Sequence, residues 1–285
     1  MSQTFTLRDI RPYHHVLFAV SMLLLFAWCH AETFEWMYIR FTGPDTYYSH
    51  GFLVPIISGF FIWRRRSIFR VENFEVSYTG LALMLAGCVI HLLGTILYVF
   101  SISGFSIWIF ILGLTLFLFG WSVTKNIGFP LFFLLFMFPL PEAFISLISF
   151  PLKMLVAKLG TDMVGWLGIP VYREGFNISI PAGTLVVGNP CSGLRSLIAF
   201  LALGATFAHL LDVSTWKKAV LFLSAIPVAV LSNLVRVPIL IVVSYYFGLE
   251  SAAPDTMVHT GSGIFVFAIG LVMIYGLSRV LEWQD

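Results

Sequence analysis

Long apolar runs, broken at intervals by charge or proline, dominate the chain from residue 16 onward. A helix that crosses a bilayer needs about 20 predominantly apolar residues. Eight runs meet or approach that length: 16–33, 48–63, 80–100, 105–123, 127–141, 192–211, 219–245 and 260–280. The second and fifth are short and carry proline (Pro55; Pro130, Pro139 and Pro141), so seven spans is the nearest alternative count. The first run ends in Trp28-Cys29-His30 rather than in the small residues of a cleavage site, which reads as an uncleaved span. No internal repeat or low-complexity segment interrupts the pattern.

The pattern changes between the fifth and sixth runs. Over 142–168, Leu, Ile, Val and Met recur at helical spacing but are interrupted by Lys153, Lys158 and Asp162. That suits an amphipathic helix lying in the interface or over the bundle. Over 171–187, the period-two Asn177-Ile178-Ser179-Ile180 and the turn-like Pro181-Ala182-Gly183 predict a short extended hairpin or loop.

Lysine and arginine in the short loops set the orientation. With the N-terminus inside, Arg8, Arg11, Arg64, Arg65, Arg66, Arg70, Lys125, Lys217, Lys218 and Arg279 all fall on the cytoplasmic side, ten of the sixteen basic residues. Both termini are then cytoplasmic, and 142–190 lies on the outer face. The expected fold is an all-α integral membrane protein of about eight spans. It forms one polytopic domain over 1–285, in which 191–285 is a three-helix part.

Composition closes the soluble alternative. Apolar residues make up 59% and charged residues 11%, against about 25% charged in soluble domains. A net charge of +2 is too small to point to a nucleic-acid partner. Three cysteines without a CxxC pair suggest neither a disulfide framework nor a zinc site. Cys29 and Cys88 read as small buried hydrophobes, and His50, His91 and His209 are too scattered to suggest a metal cluster. No cofactor is expected.

Three residues in or beside the later spans have chemistry that lipid disfavours. Cys191 stands in Gly188-Asn189-Pro190-Cys191-Ser192-Gly193-Leu194-Arg195, where the outer loop enters the sixth span. If Asn189 caps that helix and Pro190 opens it, Cys191 lies in the first turn, where the helix dipole and Arg195 one turn on stabilise a thiolate. Arg236 lies late in the seventh span; eighteen residues from the Lys217-Lys218 pair carry the chain roughly 27 Å, most of the hydrocarbon core. Asn233, three residues earlier, is placed to orient it. His259 opens the eighth span, ahead of Gly261 and Gly263, which read as helix-packing positions.

Topology alone thus brings a thiol, a guanidinium and an imidazole to one face at similar depth. These are the parts of an acyl-transfer site: a nucleophile, an acid and base, and a fixed cation for the oxyanion. His50, in Tyr47-Tyr48-Ser49-His50-Gly51 before the second span, is a further candidate on the same side. The competing expectation is a membrane transporter or lipid-carrier protein that uses Arg236 to bind an anionic group; a non-catalytic assembly subunit is a third.

The segments Pro190-Cys191-Ser192-Gly193-Leu194-Arg195, Asn233-Leu234-Val235-Arg236 and His259 resemble the exosortase/archaeosortase family of membrane-embedded cysteine transpeptidases. Tyr48-Ser49-His50-Gly51-Phe52-Leu53-Val54-Pro55 and Trp63-Arg64-Arg65-Arg66 resemble its early segment. The resemblance implies substrates that are exported proteins with a C-terminal sorting signal: a motif such as Pro-Glu-Pro, a transmembrane helix and a basic cluster. It implies catalytic roles for Cys191, Arg236 and His259, with Arg195, Asn233, Ser192, Gly193 and His50 in support. It further implies cleavage at the outer face of the cytoplasmic membrane and an unidentified acceptor nucleophile. Arg173 and Glu174, in the loop before the cysteine, are the expected substrate contacts. Val187-Gly188-Asn189-Pro190 departs from the acidic residue and alanine found before the cysteine in many exosortases.

Overall fold

The structure, a computed structural model, describes residues 17, 20–43, 46–70, 74–188, 193–253 and 256–283. Helices α1 (Val20–Cys29) and α2 (Ala31–Thr42) meet at His30. There the bonds from His30 N–H to the Phe26 carbonyl and from Phe34 N–H to the His30 carbonyl carry the helical ladder across the joint. The first run therefore continues nine residues past its expected end at residue 33. Glu32 and Glu35, which mark that end in the sequence, are good helix formers and do not stop it.

Helix α3 (Leu53–Arg64) starts five residues later than the apolar pattern indicates and accepts Pro55 in its first turn. Helices α4 (Tyr78–Ile96) and α5 (Phe100–Asn126) form a tight antiparallel pair. Gly80, Gly87 and Gly94, two turns apart along α4, let the backbones touch. A methyl group on Gly80 would lie 2.3 Å from the Phe117 nitrogen, and one on Gly94 2.7 Å from that of Ser103. Small residues take this role where lipid removes any hydrophobic drive for helix pairing.

The fifth run is not one α-helix. It forms α6 (Gly128–Phe133), a 3₁₀ turn (Leu134–Met137) and an extended Phe138–Pro141 tail, because Pro139 and Pro141 push the residues before them out of helical geometry. Helix α7 (Glu142–Trp166) is continuous, and a three-stranded antiparallel sheet follows: β1 (Tyr172–Glu174), β2 (Asn177–Ile180) and β3 (Gly183–Val186). Helices α8 (Leu194–Leu210), α9 (Thr215–Phe247) and α10 (Met257–Trp283) complete the chain.

Among the described helices, α4, α5, α7, α9 and α10 are long and apolar enough to cross a membrane. Helices α1, α3, α8 and the 128–137 segment are apolar but shorter. Most large apolar side chains on the outside of the bundle are exposed, as lipid contact requires. Cys29 and Cys88 are also exposed, which corrects their reading as buried hydrophobes.

The bundle has two distinct ends. At one, Arg65 donates to the Asn126 carbonyl, His209 stacks on Phe129 and meets Phe61 edge-on, and Lys217 Nζ donates to the Leu281 carbonyl at 3.1 Å. At the other, Arg40 pairs with Glu142, and Arg195 Nε donates to the Thr46 carbonyl at 2.5 Å. Helix α9 reaches beyond this second end. Its 33 residues rise about 50 Å, against a hydrocarbon core of about 30 Å. The surplus turns, with Val237, Leu240 and Ile241, bury against Val156, Ala157 and Val164 of α7 and Ile178 and Ile180 of the sheet. The start of α8 links this region to the Arg40 loop: Gly193 packs on Asn233 of α9, and Arg195, two residues on, bonds the Thr46 carbonyl.

Candidate active site

Arg236 is half-buried and turned toward α10. Its Nη2 donates to the His259 carbonyl at 3.2 Å and its Nε to the Ser262 hydroxyl at 3.4 Å, while Ser262 Oγ donates to the same carbonyl at 2.8 Å. Gly263 is beside the guanidinium: a methyl group there would meet Nη2 at 3.5 Å, an ordinary contact, while one on Gly261 would meet open space. His259 is buried on the first turn of α10. Its N–H donates to Thr256 Oγ1 at 3.2 Å, and its Nδ1 lies 3.3 Å from the Ala252 carbonyl. A carbonyl only accepts, so Nδ1 carries a proton.

The third component approaches from α8. This helix begins at Leu194, behind an N-cap Gly193 with φ 77°, a left-handed conformation that glycine alone adopts cheaply. The helix thus starts later than the sequence suggests, because a right-handed helix cannot run through that cap. Arg195 is in its first turn. Asn189, Pro190, Cys191 and Ser192 lie outside the described residues. Gly193 packs on Asn233, whose Nδ2 would be 3.1 Å from a methyl group placed there. Asn233 itself is buried one turn before Arg236. The cap of α8, Asn233, Arg236 and His259 therefore form one continuous group.

His50 lies across from this group, in the turn before α3. Its ring hydrogen-bonds the backbone of Phe136, while Nε2 is buried without a hydrogen-bond partner. Burial holds the imidazole below its ordinary pKa, and the positive charge of Arg195 lowers it further. Next to it, Tyr48 accepts the Leu140 N–H at 2.9 Å, and burial pushes its phenol up to about 12. A cavity of about 580 Å³ opens between this loop and α7, lined by Arg40, Thr46, Tyr47, Tyr48, Lys153 and Phe176, among others.

Arg173 and Glu174 are on β1 and do not line the cavity. Arg173 donates to the Gly175 carbonyl of its own hairpin at 2.7 Å, and Glu174 is exposed. The residue from this region that does reach the cavity is Phe176, whose ring also takes the Lys153 ammonium at 5.9 Å. Ser262 and Thr256, which hold Arg236 and His259, had one available signal: each is a hydroxyl residue three positions from His259. Among the described residues no group of three or more His, Cys, Asp or Glu side chains is arranged to hold a metal.

The profile of the transmembrane exosortase family matches residues 36–276, most of the chain. The chain belongs to the transmembrane exosortase family. Membership makes it a multi-pass membrane protein of a family whose general activity is that of membrane cysteine peptidases and transpeptidases. The matched region takes in Arg40, His50, Arg195, Asn233, Arg236 and His259, as well as Cys191. Neither a curated protein nor a solved structure matches the chain.

Proposed function

We propose that this exosortase is a cysteine transpeptidase or protease that removes C-terminal sorting signals from exported proteins at the outer face of the cytoplasmic membrane. The basic end, with Arg64, Arg65, Arg66, Lys217 and Lys218, is cytoplasmic, as the charge rule for short loops requires. The end holding Arg40, Arg195 and Arg236 is external, with α7 and the sheet lying over it and both termini inside. On this reading the chain is a single domain whose part from 191 onward carries the chemistry.

The observation that carries the reading is the junction of Gly193 with Asn233, one turn from an Arg236 that is bonded to the backbone of His259. Two residues of chain extend at most about 7 Å, so Cys191 is tethered close to that junction. Its thiolate attacks the scissile carbonyl, and the Arg236 guanidinium stabilises the oxyanion. His259 takes the Cys191 thiol proton on Nε2 and gives it to the departing nitrogen; the C–N bond breaks, a thioester remains on Cys191, and the helical tail leaves. An acceptor amine, or water, then attacks the thioester and passes its proton to His259 as base, and the C–S bond breaks to free Cys191 as thiolate. Arg236 is always protonated, so it serves as electrophile and never as base.

The test uses membranes containing wild type, Cys191→Ala or Arg236→Ala and a tagged exported protein ending in a motif, a hydrophobic helix and a basic cluster. Cleavage is expected in wild type alone. Cleavage that persists in Cys191→Ala overturns the thioester mechanism. No cleavage even in wild type would favour an anion carrier instead.

A further inference from the structure

The cavity beside α7 has no part in the mechanism above, yet two of its lining residues hold the chain on either side of the nucleophile. The Phe176 carbonyl accepts the Val187 N–H at 3.0 Å, four residues before Cys191. The Thr46 carbonyl accepts Arg195 Nε at 2.5 Å, four residues after it. Four residues of chain extend at most about 14 Å. The loop that bears Cys191 is thus moored at both ends to the wall of this cavity.

That wall has a definite chemistry. Apart from two tyrosines, its ionisable side chains are Arg40, Glu142 and Lys153. Arg40 and Glu142 neutralise each other as an ion pair, which leaves the wall one net positive charge. Lys153 supplies it. This lysine is half-buried on α7, with its ammonium 5.9 Å from the centre of the Phe176 ring. A ring face attracts a cation without cancelling its charge. Phe150 meets Phe176 edge-on at 6.4 Å, so apolar surface flanks the charge.

We infer that this cavity is the specificity site of the enzyme, taking an extended peptide segment of the exported protein beside the scissile bond and pairing Lys153 with a carboxylate side chain on it. The inference rests on the transpeptidase reading and adds what the enzyme selects. One net cation calls for one anion, and partial burial strengthens the pair by reducing the screening that water gives. The aromatic flanks suit the apolar neighbours of that anion in a peptide. A volume of about 580 Å³ is in the range of sites that enclose a ligand. A lipid phosphate would satisfy the same charge. The two moorings favour the peptide, because its scissile bond has to lie against the loop they hold.

The test uses two labelled peptides copied from the segment ahead of the hydrophobic helix in the tagged substrate, differing only in glutamate or glutamine at one position. Each is titrated against the protein in phosphatidylcholine nanodiscs. Wild type is expected to bind the acidic peptide about 30-fold more tightly, the scale of one hydrogen bond to a charged group. The preference should vanish in Lys153→Gln, and Lys153→Glu should prefer a third peptide with lysine at that position. Lys158→Gln, at an exposed lysine of the same helix outside the cavity, should keep the wild-type preference. Because each ratio is read within one protein, a misfolded fraction lowers both affinities together and does not mimic the effect. Equal affinities in wild type, or a preference that survives Lys153→Gln, overturn the proposal. Wild type also supplies a reading of its own if the variants do not accumulate: carbodiimide should couple the acidic peptide to Lys153 Nζ, identified by mass spectrometry, and coupling confined to other lysines overturns the assignment. Phosphatidylglycerol that co-purifies with wild type and not with Lys153→Gln would make the occupant a lipid and overturn it too. The ratio is read equally well in Cys191→Ala, so cleavage that persists in that variant would sink the thioester and leave the carboxylate site standing.

Discussion

Two pairs of histidines in this bundle invite comparison. His30 and His91 stack face to face at 3.8 Å between α2 and α4. His91 donates from Nε2 to the Cys29 carbonyl, accepts at Nδ1 from Ser103 Oγ at 2.7 Å, and Ser103 in turn meets Thr33 Oγ1 at 2.6 Å. His50 and His259 are at the Arg40 end, each beside an arginine. Both pairs contain a buried nitrogen without a partner, on His30 and on His50. An unsatisfied lone pair therefore does not by itself mark a site. His30 is closed in by the rings of Phe26 and His91, whereas His50 borders a loop that lines an open cavity. The two clusters thus differ in what lies next to them: the first is packed among helices, and the second adjoins a cavity-lining loop.

Substitutions can break that distinction or sharpen it. The largest effect is expected from Arg236→Lys, which keeps the charge but cannot hold the His259 carbonyl and Ser262 together. Processing of a tagged substrate should fall at least 100-fold, as for loss of an oxyanion donor, with the amount of protein in the membrane unchanged. Gly193→Ala follows. A side chain in the left-handed region costs roughly 1–2 kcal/mol, and the contact with Asn233 compounds it; both a lower unfolding midpoint and about tenfold slower processing are expected. Ser103→Ala should divide the two clusters cleanly. It leaves His91 Nδ1 and Thr33 without their partner and costs about 1–3 kcal/mol, read as a lower midpoint, while activity per folded molecule stays at the wild-type level. The smallest effect belongs to Glu142→Gln at the exposed pair with Arg40. Less than about 1 kcal/mol is expected, and any change in processing beyond twofold would give that pair a part in the site.

The sequence made the bundle legible because lipid imposes a simple pattern: runs of apolar residues separated by arginine and lysine. Its errors have local causes. The end of the first run was hidden because glutamate in a helix looks like a boundary. The fifth was hidden because Pro139 and Pro141 break a run that hydropathy alone joins. The pairing of α4 with α5 was written in Gly80, Gly87 and Gly94, but a seven-residue glycine spacing has meaning only once the partner helix is known. At the site, Arg236, His259 and Asn233 could be found because lipid penalises such groups. The start of α8 could not be placed, because whether Gly193 continues a helix or caps one depends on Asn233 forty residues away. Arg173 and Glu174 are on β1 and do not line the cavity, whereas Phe176, two residues on from Glu174, does.

Helix α9 has a consequence of a different kind. Lys217 is anchored to the Leu281 carbonyl near one of its ends, and Arg236 is nineteen residues further along, a rise of about 28 Å. The helix is a caliper. A substrate helix lying beside it, with its basic cluster held at the level of Lys217, would have its scissile bond measured against Arg236. Adding or deleting one helical turn in that tail moves the bond by about 5.4 Å, further than a thiolate can follow. Cleavage should therefore vary sharply with tail length, and the optimum should move in step when a turn is inserted into α9 between these two residues.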